Sequence, residues 1–230
     1  MTKRVALVED EPAIRENYAE ALNKQGYDVT GYADRPGAMR AFRQKLPDLA
    51  IIDIALGEEA EGGFELCREL RGMSPALPII FLTARDSDLD VVSGLRLGAD
   101  DYLTKDVSVH QILARVAALF RRIEALKSED NRSAVHRAGD LSIDSNCMRV
   151  TWKDSEVDLT LTEFWIVNSL ARIPGHVKNR DQLMEDAKIF VDDGTVTSHV
   201  KRIRRKFEVV DPDFDRIDTV YGMGYRWKNQ

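Results

Sequence analysis

Short apolar runs alternate with helical periodicity along residues 4–126, whereas residues 138–160 alternate only weakly and give way to longer helical stripes. The first pattern predicts strands near 4–9, 27–32, 49–53, 78–82 and 101–104, joined by crossover helices into a mostly parallel sheet. Leu49-Ala50-Ile51-Ile52 and Ile79-Ile80-Phe81-Leu82 are apolar without interruption, as strands buried on both faces require. A helix opening at Glu11-Pro12 places Ile14, Tyr18, Ala21 and Leu22 on one face. Another runs from a Ser108 N-cap through Ile112, Val116 and Leu119 to Leu126. The expected architecture is α/β, a five-stranded doubly wound parallel sheet with its functional crevice at the carboxyl ends of the strands.

In the second half, Leu141, Ile143, Met148, Val150, Trp152, Val157 and Leu159 stand among polar turns, which predicts an antiparallel meander over 138–160. Thr160 or Thr162 can cap the next helix; its apolar face is Phe164, Val167, Leu170 and Ala171, and Pro174-Gly175 stops it. A short helix is expected near Arg180-Asp181 and a longer one from about Gly194 to Val209. Residues 217–220 and 225–227 flank Tyr221-Gly222-Met223-Gly224, a hairpin pattern. The expected division is a first domain over 1–126, a linker over 127–137 and an α+β domain over 138–230.

Charge sharpens this division. The chain of 230 residues has a formal charge of -6; residues 1–126 hold 16 bases and 21 acids, a balance of -5, against 17 and 18, or -1, in 127–230. Yet residues 195–207 carry Lys201, Arg202, Arg204, Arg205 and Lys206 with no acid, so an acidic protein owns a cationic helix. Cys67 and Cys147 have neither metal-ligand spacing nor a disulfide framework. No apolar run approaches the ~20 residues that span a bilayer, and no apolar block follows Met1-Thr2-Lys3-Arg4, so no membrane association and a cytoplasmic location are expected.

The predicted strand ends deliver Glu9 and Asp10 from the first strand, Asp53 from the third, Thr83 from the fourth and Lys105 from the fifth. Clustered carboxylates repel and need a cation, and hard oxygen ligands suit Mg²⁺. Asp53 ends an apolar strand, a poor place for a merely solubilising charge.

The set Glu9-Asp10, Asp53, Thr83-Ala84 and Lys105, with Gly98-Ala99-Asp100-Asp101-Tyr102-Leu103-Thr104-Lys105, resembles the flavodoxin-like receiver domain of bacterial two-component response regulators over residues 3–123. The resemblance implies that Asp53 accepts a phosphoryl group from a sensor histidine kinase, with Glu9, Asp10, Asp53 and the Ala55 carbonyl around Mg²⁺. Lys105 would pair with a phosphoryl oxygen and Thr83 would donate its hydroxyl to the group. Tyr102 would swing inward as Thr83 moves, driven by the change to about -1.5 to -2 in charge at Asp53. The family's proline after the lysine is Asp106 here, which predicts a trans peptide and raises the question of whether Lys105 is displaced. Residues 54–63 are longer and more acidic than the usual turn and would alter kinase docking.

Leu161-Thr162-Glu163-Phe164, Pro174-Gly175-His176-Val177, Arg180-Asp181-Gln182-Leu183, the basic helix and Tyr221-Gly222-Met223-Gly224-Tyr225-Arg226 resemble the winged-helix DNA-binding domain of the OmpR/PhoB branch over 138–228. Asp213-Phe214-Asp215 with Tyr221-Gly222 looks closest to the ChvI-like subgroup. Val196, Val200, Ile203 and Phe207 make one apolar stripe on the basic helix, leaving other faces for the major groove. By the resemblance, Arg202 and Thr197 read bases, while Thr195, His199, Lys201, Arg204 and Thr219 grip phosphates. Tyr221 would touch DNA where the family's wing often carries Arg. His199 is a lone histidine, so phosphate contact is preferred over a metal role.

Phosphorylated receivers of this kind pair as homodimers through the fourth helix, fifth strand and fifth helix, placing two DNA domains on a direct repeat of promoter DNA. Asp101 and Arg115 stand where one characteristic salt bridge forms; a second pair, Lys with Glu, is replaced by Val91 and Gln111. The turn over 185–194, which would face RNA polymerase, is short and lacks the family's Trp-Gly. Two alternatives compete with the phosphorylation-activated regulator. One is a constitutive DNA binder with a degenerate switch. The other is an aspartyl-phosphate hydrolase, which ranks lowest because Ala55 occupies the place of the second acid such enzymes need.

Overall fold

The first part of the chain forms five parallel strands, β1 (Arg4–Val8), β2 (Asp28–Tyr32), β3 (Leu49–Ile52), β4 (Ile79–Thr83) and β5 (Asp101–Thr104), ordered β2-β1-β3-β4-β5. The computed structural model describes residues 2–128, 135–187 and 193–229, which fall into two compact units spanning 1–119 and 120–230. β3 and β4 are buried along their whole length, as their uninterrupted apolar runs predict. At the edge, β5 alternates between buried and partly exposed positions. The strand order reverses between β1 and β3, and such a switch point opens a crevice beyond the carboxyl ends of the two strands.

Helices α1 (Pro12–Lys24), α2 (Arg35–Phe42), α3 (Gly62–Met73), α4 (Asp88–Leu97) and α5 (Val109–Ser128) cross between the strands. Proline opens α1 at its first turn, where a missing N–H costs nothing. The Ser87 hydroxyl caps α4, and Ser108 accepts from the Gln111 amide at the start of α5. The apolar layer between α3 and the sheet centres on Phe64, Leu66, Cys67, Leu70, Ile79 and Phe81. The rings of Phe64 and Phe81 meet edge to face at 5.3 Å. On α3, Arg71 pairs with the buried Asp100 at 3.0 Å and donates to the Gly98 carbonyl, so the loop entering β5 is tied to α3. Every described peptide bond is trans, including Lys105-Asp106 as expected.

The second unit contains β6 (Val135–Ala138), β7 (Leu141–Asp144), β8 (Arg149–Trp152) and β9 (Ser155–Glu156) as a four-stranded meander. α5 extends to Ser128 and β6 begins at Val135, so both ends of the stretch read as a linker carry regular structure. The meander is followed by α6 (Leu161–Ala171), α7 (Arg180–Ala187), α8 (Asp193–Val210) and the hairpin β10 (Ile217–Val220) and β11 (Gly224–Trp227). Nine of the eleven residues of α6 are buried, which makes it the central helix of this unit. Val196, Val200, Ile203 and Phe207 are all buried, confirming the stripe that anchors α8. Phe207 stacks on Phe214 at 4.3 Å, with the indoles of Trp152 and Trp227 around them.

One close approach sets the geometry at the head of β3. Gly63 donates its amide to the Ile54 carbonyl at 2.9 Å, and a Cβ at position 63 would sit 2.0 Å from the carbonyl oxygen of Asp53. Only glycine lets α3 begin there. Gly63→Ala should therefore lower stability by about 3 kcal/mol, at the upper end of ordinary overpacking. Urea denaturation followed by far-ultraviolet circular dichroism checks this, and an unchanged midpoint would contradict it.

Candidate functional site

The end of β1 places Glu9 inside the protein at 1% exposure, with Asp10 beside it in solvent. The end of β3 places Asp53 at 5% exposure, and the end of β4 buries Thr83. Carboxylate oxygens of Glu9, Asp10 and Asp53 lie within 4.8 Å of one another. Lys105, following β5, reaches in from the far side: its Nζ donates to Asp53 Oδ2 at 2.6 Å and to Glu9 Oε1 at 2.9 Å. Asp106 in place of proline thus leaves the ammonium in reach of Asp53. Burial pushes the Glu9 carboxyl above its usual range, and the hydrogen bond from Lys105 only partly offsets this. Burial works against the Lys105 ammonium, but hydrogen bonds to Asp53 and Glu9 outweigh it and hold the group charged.

Local contacts aim these groups. The Ile54 amide donates to Asp53 Oδ1 at 2.6 Å, and the Gly57 amide donates to Asp10 Oδ2 at 3.1 Å. Arg15 on α1 donates to the main-chain carbonyls of Glu9 at 2.5 Å and Asp10 at 3.1 Å, a positioning role that the helix pattern does not reveal. The acidic stretch over 54–63 is tied down at three points. Leu56 and Glu59 exchange main-chain hydrogen bonds, Arg35 pairs with Glu59 at 2.7 Å, and Arg85 donates to the Ala60 carbonyl at 2.7 Å. Three hard oxygen donors beside a compensating ammonium fit Mg²⁺, which Glu9, Asp10 and Asp53 could hold through their carboxylates.

Tyr102 packs beside Phe81, with ring centroids 6.2 Å apart, and donates its hydroxyl to the Arg85 carbonyl at 2.9 Å. Its ring lies so near Gly94 of α4 that a Cβ there would stand 3.0 Å from it. Thr83 Oγ1 accepts from the Arg85 amide at 3.4 Å. Thr83 and Tyr102 thus meet the same β4–α4 loop. Asp101 and Arg115, expected at a dimer face, pair with each other within the chain at 3.6 Å.

On the basic helix the cations take three settings. Lys201 and Arg205 are exposed, as is Thr197. Arg204 turns toward the hairpin, donating to the Ile217 carbonyl at 2.8 Å and to Thr219 Oγ1 at 2.8 Å, while the Tyr225 hydroxyl donates to Thr197 Oγ1 at 3.2 Å. Arg202 and Lys206 point inward instead, each 2.6 Å from a different oxygen of Glu163, which is fully buried on α6. Glu163 also closes a capping box with Thr160. Two expectations need correction. His199 is 1% exposed with Nδ1 2.7 Å from Arg202, so no phosphate reaches it in this conformation. It lies three residues after Val196 and four before Ile203, on the buried side of the helix. Arg202 is held by Glu163 and does not stand out as a base reader in this conformation. Tyr221 is 94% exposed at the hairpin tip. The side chain of Thr195 and much of the turn over 185–194 lie outside the described residues.

Residues 5–117 match the response regulator receiver domain, and residues 154–227 match the C-terminal domain of transcriptional regulatory proteins. Over 225 residues, covering 96% of both chains, the sequence is 37% identical to the transcriptional regulatory protein CreB of Escherichia coli K12. The chain belongs to the OmpR/PhoB family of two-component response regulators. A further relative of this regulator is BaeR of Escherichia coli O6:H1, 35% identical over 99% of this chain and 93% of that one. The solved structure of DrrB from Thermotoga maritima, itself an OmpR/PhoB homolog, covers the whole of both chains at 29% identity and a TM-score of 0.51. A solved mutant of RitR shares the fold at 22% identity and a TM-score of 0.80, over 99% of this chain and all of that one. The regulator is thus a receiver followed by a winged-helix DNA-binding domain, and it acts in transcription. Among its described residues no helix is long and apolar enough to cross a membrane.

The winged-helix unit of the regulator carries its own pH signature. Burial alone would raise the Glu163 carboxyl, but Arg202 and Lys206 overwhelm it and bring the pKa down to about 2. A carboxylate depressed on folding contributes stability that is complete above its unfolded value of 4.5 and is lost as pH falls toward 2. All three tryptophans, Trp152, Trp165 and Trp227, belong to this unit, so their fluorescence reports on it alone. Thermal melts should show the loss over that window in wild type. Glu163→Gln should remove this group's share of the pH dependence and cost about 3 to 5 kcal/mol at neutral pH, as breaking a buried pair does. A mutant with wild-type stability at pH 7 would contradict this.

Proposed function

We propose that the regulator is switched by transfer of a phosphoryl group from a sensor histidine kinase to Asp53, and that the phosphorylated form pairs as a homodimer on a direct repeat in promoter DNA. The observation that carries this reading is the Lys105 ammonium 2.6 Å from Asp53 and 2.8 Å from Glu9, with the Lys105 amide donating to the carbonyl of the buried Thr83 at 2.8 Å. A carboxylate oxygen of Asp53 attacks phosphorus, the bond from phosphorus to the kinase imidazole breaks, and the histidine leaves with the bonding pair. Glu9, Asp10, Asp53 and the Ala55 carbonyl would hold Mg²⁺, which when bound would neutralise charge on the transferring oxygens. Lys105 exchanges its contact with the free carboxylate for one with a phosphoryl oxygen, and Thr83 donates its hydroxyl to another.

The added charge then acts on neighbours. Thr83 and Tyr102 both contact Arg85 in the β4–α4 loop, so moving the hydroxyl toward a phosphoryl group pulls on the loop that holds the tyrosine. That loop leads into α4, part of the surface through which receivers of this kind pair. Exchange of the internal Asp101–Arg115 pair for one across the dimer is the corresponding change at the surface. Val91 and Gln111 leave no lone charge on this face. Lys201 and Thr197 face the DNA, and the turn over 185–194 is the surface offered to RNA polymerase. The protein acts in the cytoplasm, and Asp213-Phe214-Asp215 with Tyr221-Gly222 supports a ChvI-like placement.

Acetyl phosphate with Mg²⁺ should label wild type with one phosphoryl group per chain and leave Asp53→Asn unlabelled; equal labelling of that mutant would sink the assignment. Sedimentation should show a monomer that becomes a dimer with beryllofluoride, and a monomer in both conditions would refute the dimer scheme.

A further inference from the structure

A cavity of about 270 Å³ lies in the winged-helix unit, between the β6–β7 turn and the base of the β10–β11 hairpin. The indoles of Trp152 and Trp227 and the ring of Pro174 supply its apolar lining, and Asp140, Arg216 and Lys228 its charged lining. Main-chain hydrogen bonds fix these walls. The Lys228 amide donates to the Arg216 carbonyl at 2.8 Å, the Gly175 amide to the Trp227 carbonyl at 2.7 Å, and the Lys153 amide to the Asp140 carbonyl at 2.9 Å. The cavity is therefore preformed. Its size falls just below the roughly 300–1,000 Å³ of pockets that take drug-sized ligands, which suits a smaller molecule.

The polar groups of this lining lack partners of their own. Trp227 is 2% exposed, yet no described residue accepts from its indole N–H, whereas the Trp152 indole N–H donates to Asp211 at 2.7 Å. The Arg216 guanidinium donates only to the Asn229 carbonyl, at 3.4 Å, and Asp140 forms no ion pair among the described residues. The opposite charges beside them are engaged elsewhere: Lys228 pairs with Asp215 at 2.8 Å, and Lys153 pairs with Asp211 at 2.8 Å. Arg216 and Asp140 thus line one small cavity without neutralising each other.

We propose that this cavity binds a small zwitterion with an apolar body, of the class of the α-amino acids. The ligand's carboxylate accepts from the Arg216 guanidinium and the Trp227 indole N–H, its ammonium donates to Asp140, and its side chain packs on the two indoles. A simple carboxylate leaves Asp140 unanswered, and a simple amine leaves Arg216 and the indole N–H unanswered. A ligand carrying both charges satisfies the whole lining. It bridges the β6–β7 turn to the hairpin whose Ile217 carbonyl is held by Arg204 of α8.

The test titrates the full chain with L-leucine, L-methionine and L-phenylalanine and follows tryptophan emission, since Trp152 and Trp227 are two of its three tryptophans. At least one of these probes should change the emission saturably. Analogues of that probe lacking the ammonium or the carboxylate, isocaproate and isoamylamine in the case of leucine, should bind at least about tenfold more weakly. Arg216→Gln and Asp140→Asn should each weaken binding of the amino acid by at least about tenfold while melting at the wild-type temperature. Saturation by none of the probes at about 10 mM would overturn the proposal. An analogue that binds as tightly as its parent would overturn the zwitterion, and wild-type affinity in either variant would place the binding elsewhere and equally overturn it. If a variant unfolds, the comparison of analogues on the wild-type chain decides the case.

Discussion

Glu9 and Asp53 are buried carboxylates at the ends of adjacent strands, and their closest oxygens lie within 4.8 Å of each other. At an effective dielectric constant of about 20, two full charges at that distance repel by roughly 3 to 4 kcal/mol. The ammonium of Lys105, touching both, is what makes the arrangement tenable. Much of the receiver serves this contact. The strand order brings β1 beside β3, Arg15 and the Ile54 amide aim the acids, Arg71 fixes the approach to β5, and Gly63 lets α3 start against the main chain of Asp53. In the proposed switch, Lys105, shared between two carboxylates, would be drawn to the phosphoryl group on Asp53.

The winged-helix unit solves the converse problem. There one buried acid, Glu163, is surrounded by cations from a helix that otherwise bristles with positive charge. The arrangement pins α8 to α6 and sorts its bases. Two are drawn inward, Arg204 braces the hairpin, and the exposed Lys201 belongs to the outer face. The net charge of -6 therefore conceals both an acidic pocket and a basic helix only part of whose charge faces solvent. A field of this kind favours binding that depends on fit more than on bulk attraction.

Much of this was legible in the residues. Uninterrupted apolar runs located β3 and β4, and the rule that crevices lie at strand ends pointed to Glu9, Asp10, Asp53, Thr83 and Lys105, of which Glu9, Asp10, Asp53 and Lys105 cluster in the structure. The interval pattern at Val196, Val200, Ile203 and Phe207 found the buried stripe of α8. It failed at the edge of that stripe, where His199 and Arg202 are polar yet turned inward, because periodicity ranks faces by apolarity and does not register a buried charge on another helix. Thr160-Leu161-Thr162-Glu163 has the form of a capping box and marks the acid that captures Arg202. Arg71 and Arg85 act on main-chain carbonyls far along the chain, and no local spacing encodes such contacts.

The switch proposed for the regulator is a coupling between charge at Asp53 and DNA affinity. Its most direct measurement is the dissociation constant of the full chain for a selected duplex, with and without beryllofluoride in the presence of Mg²⁺. Binding should be at least about tenfold tighter in the activated form, as pairing of two sites confers, with no such gain in Asp53→Asn. Equal affinity of wild type in both conditions would contradict it.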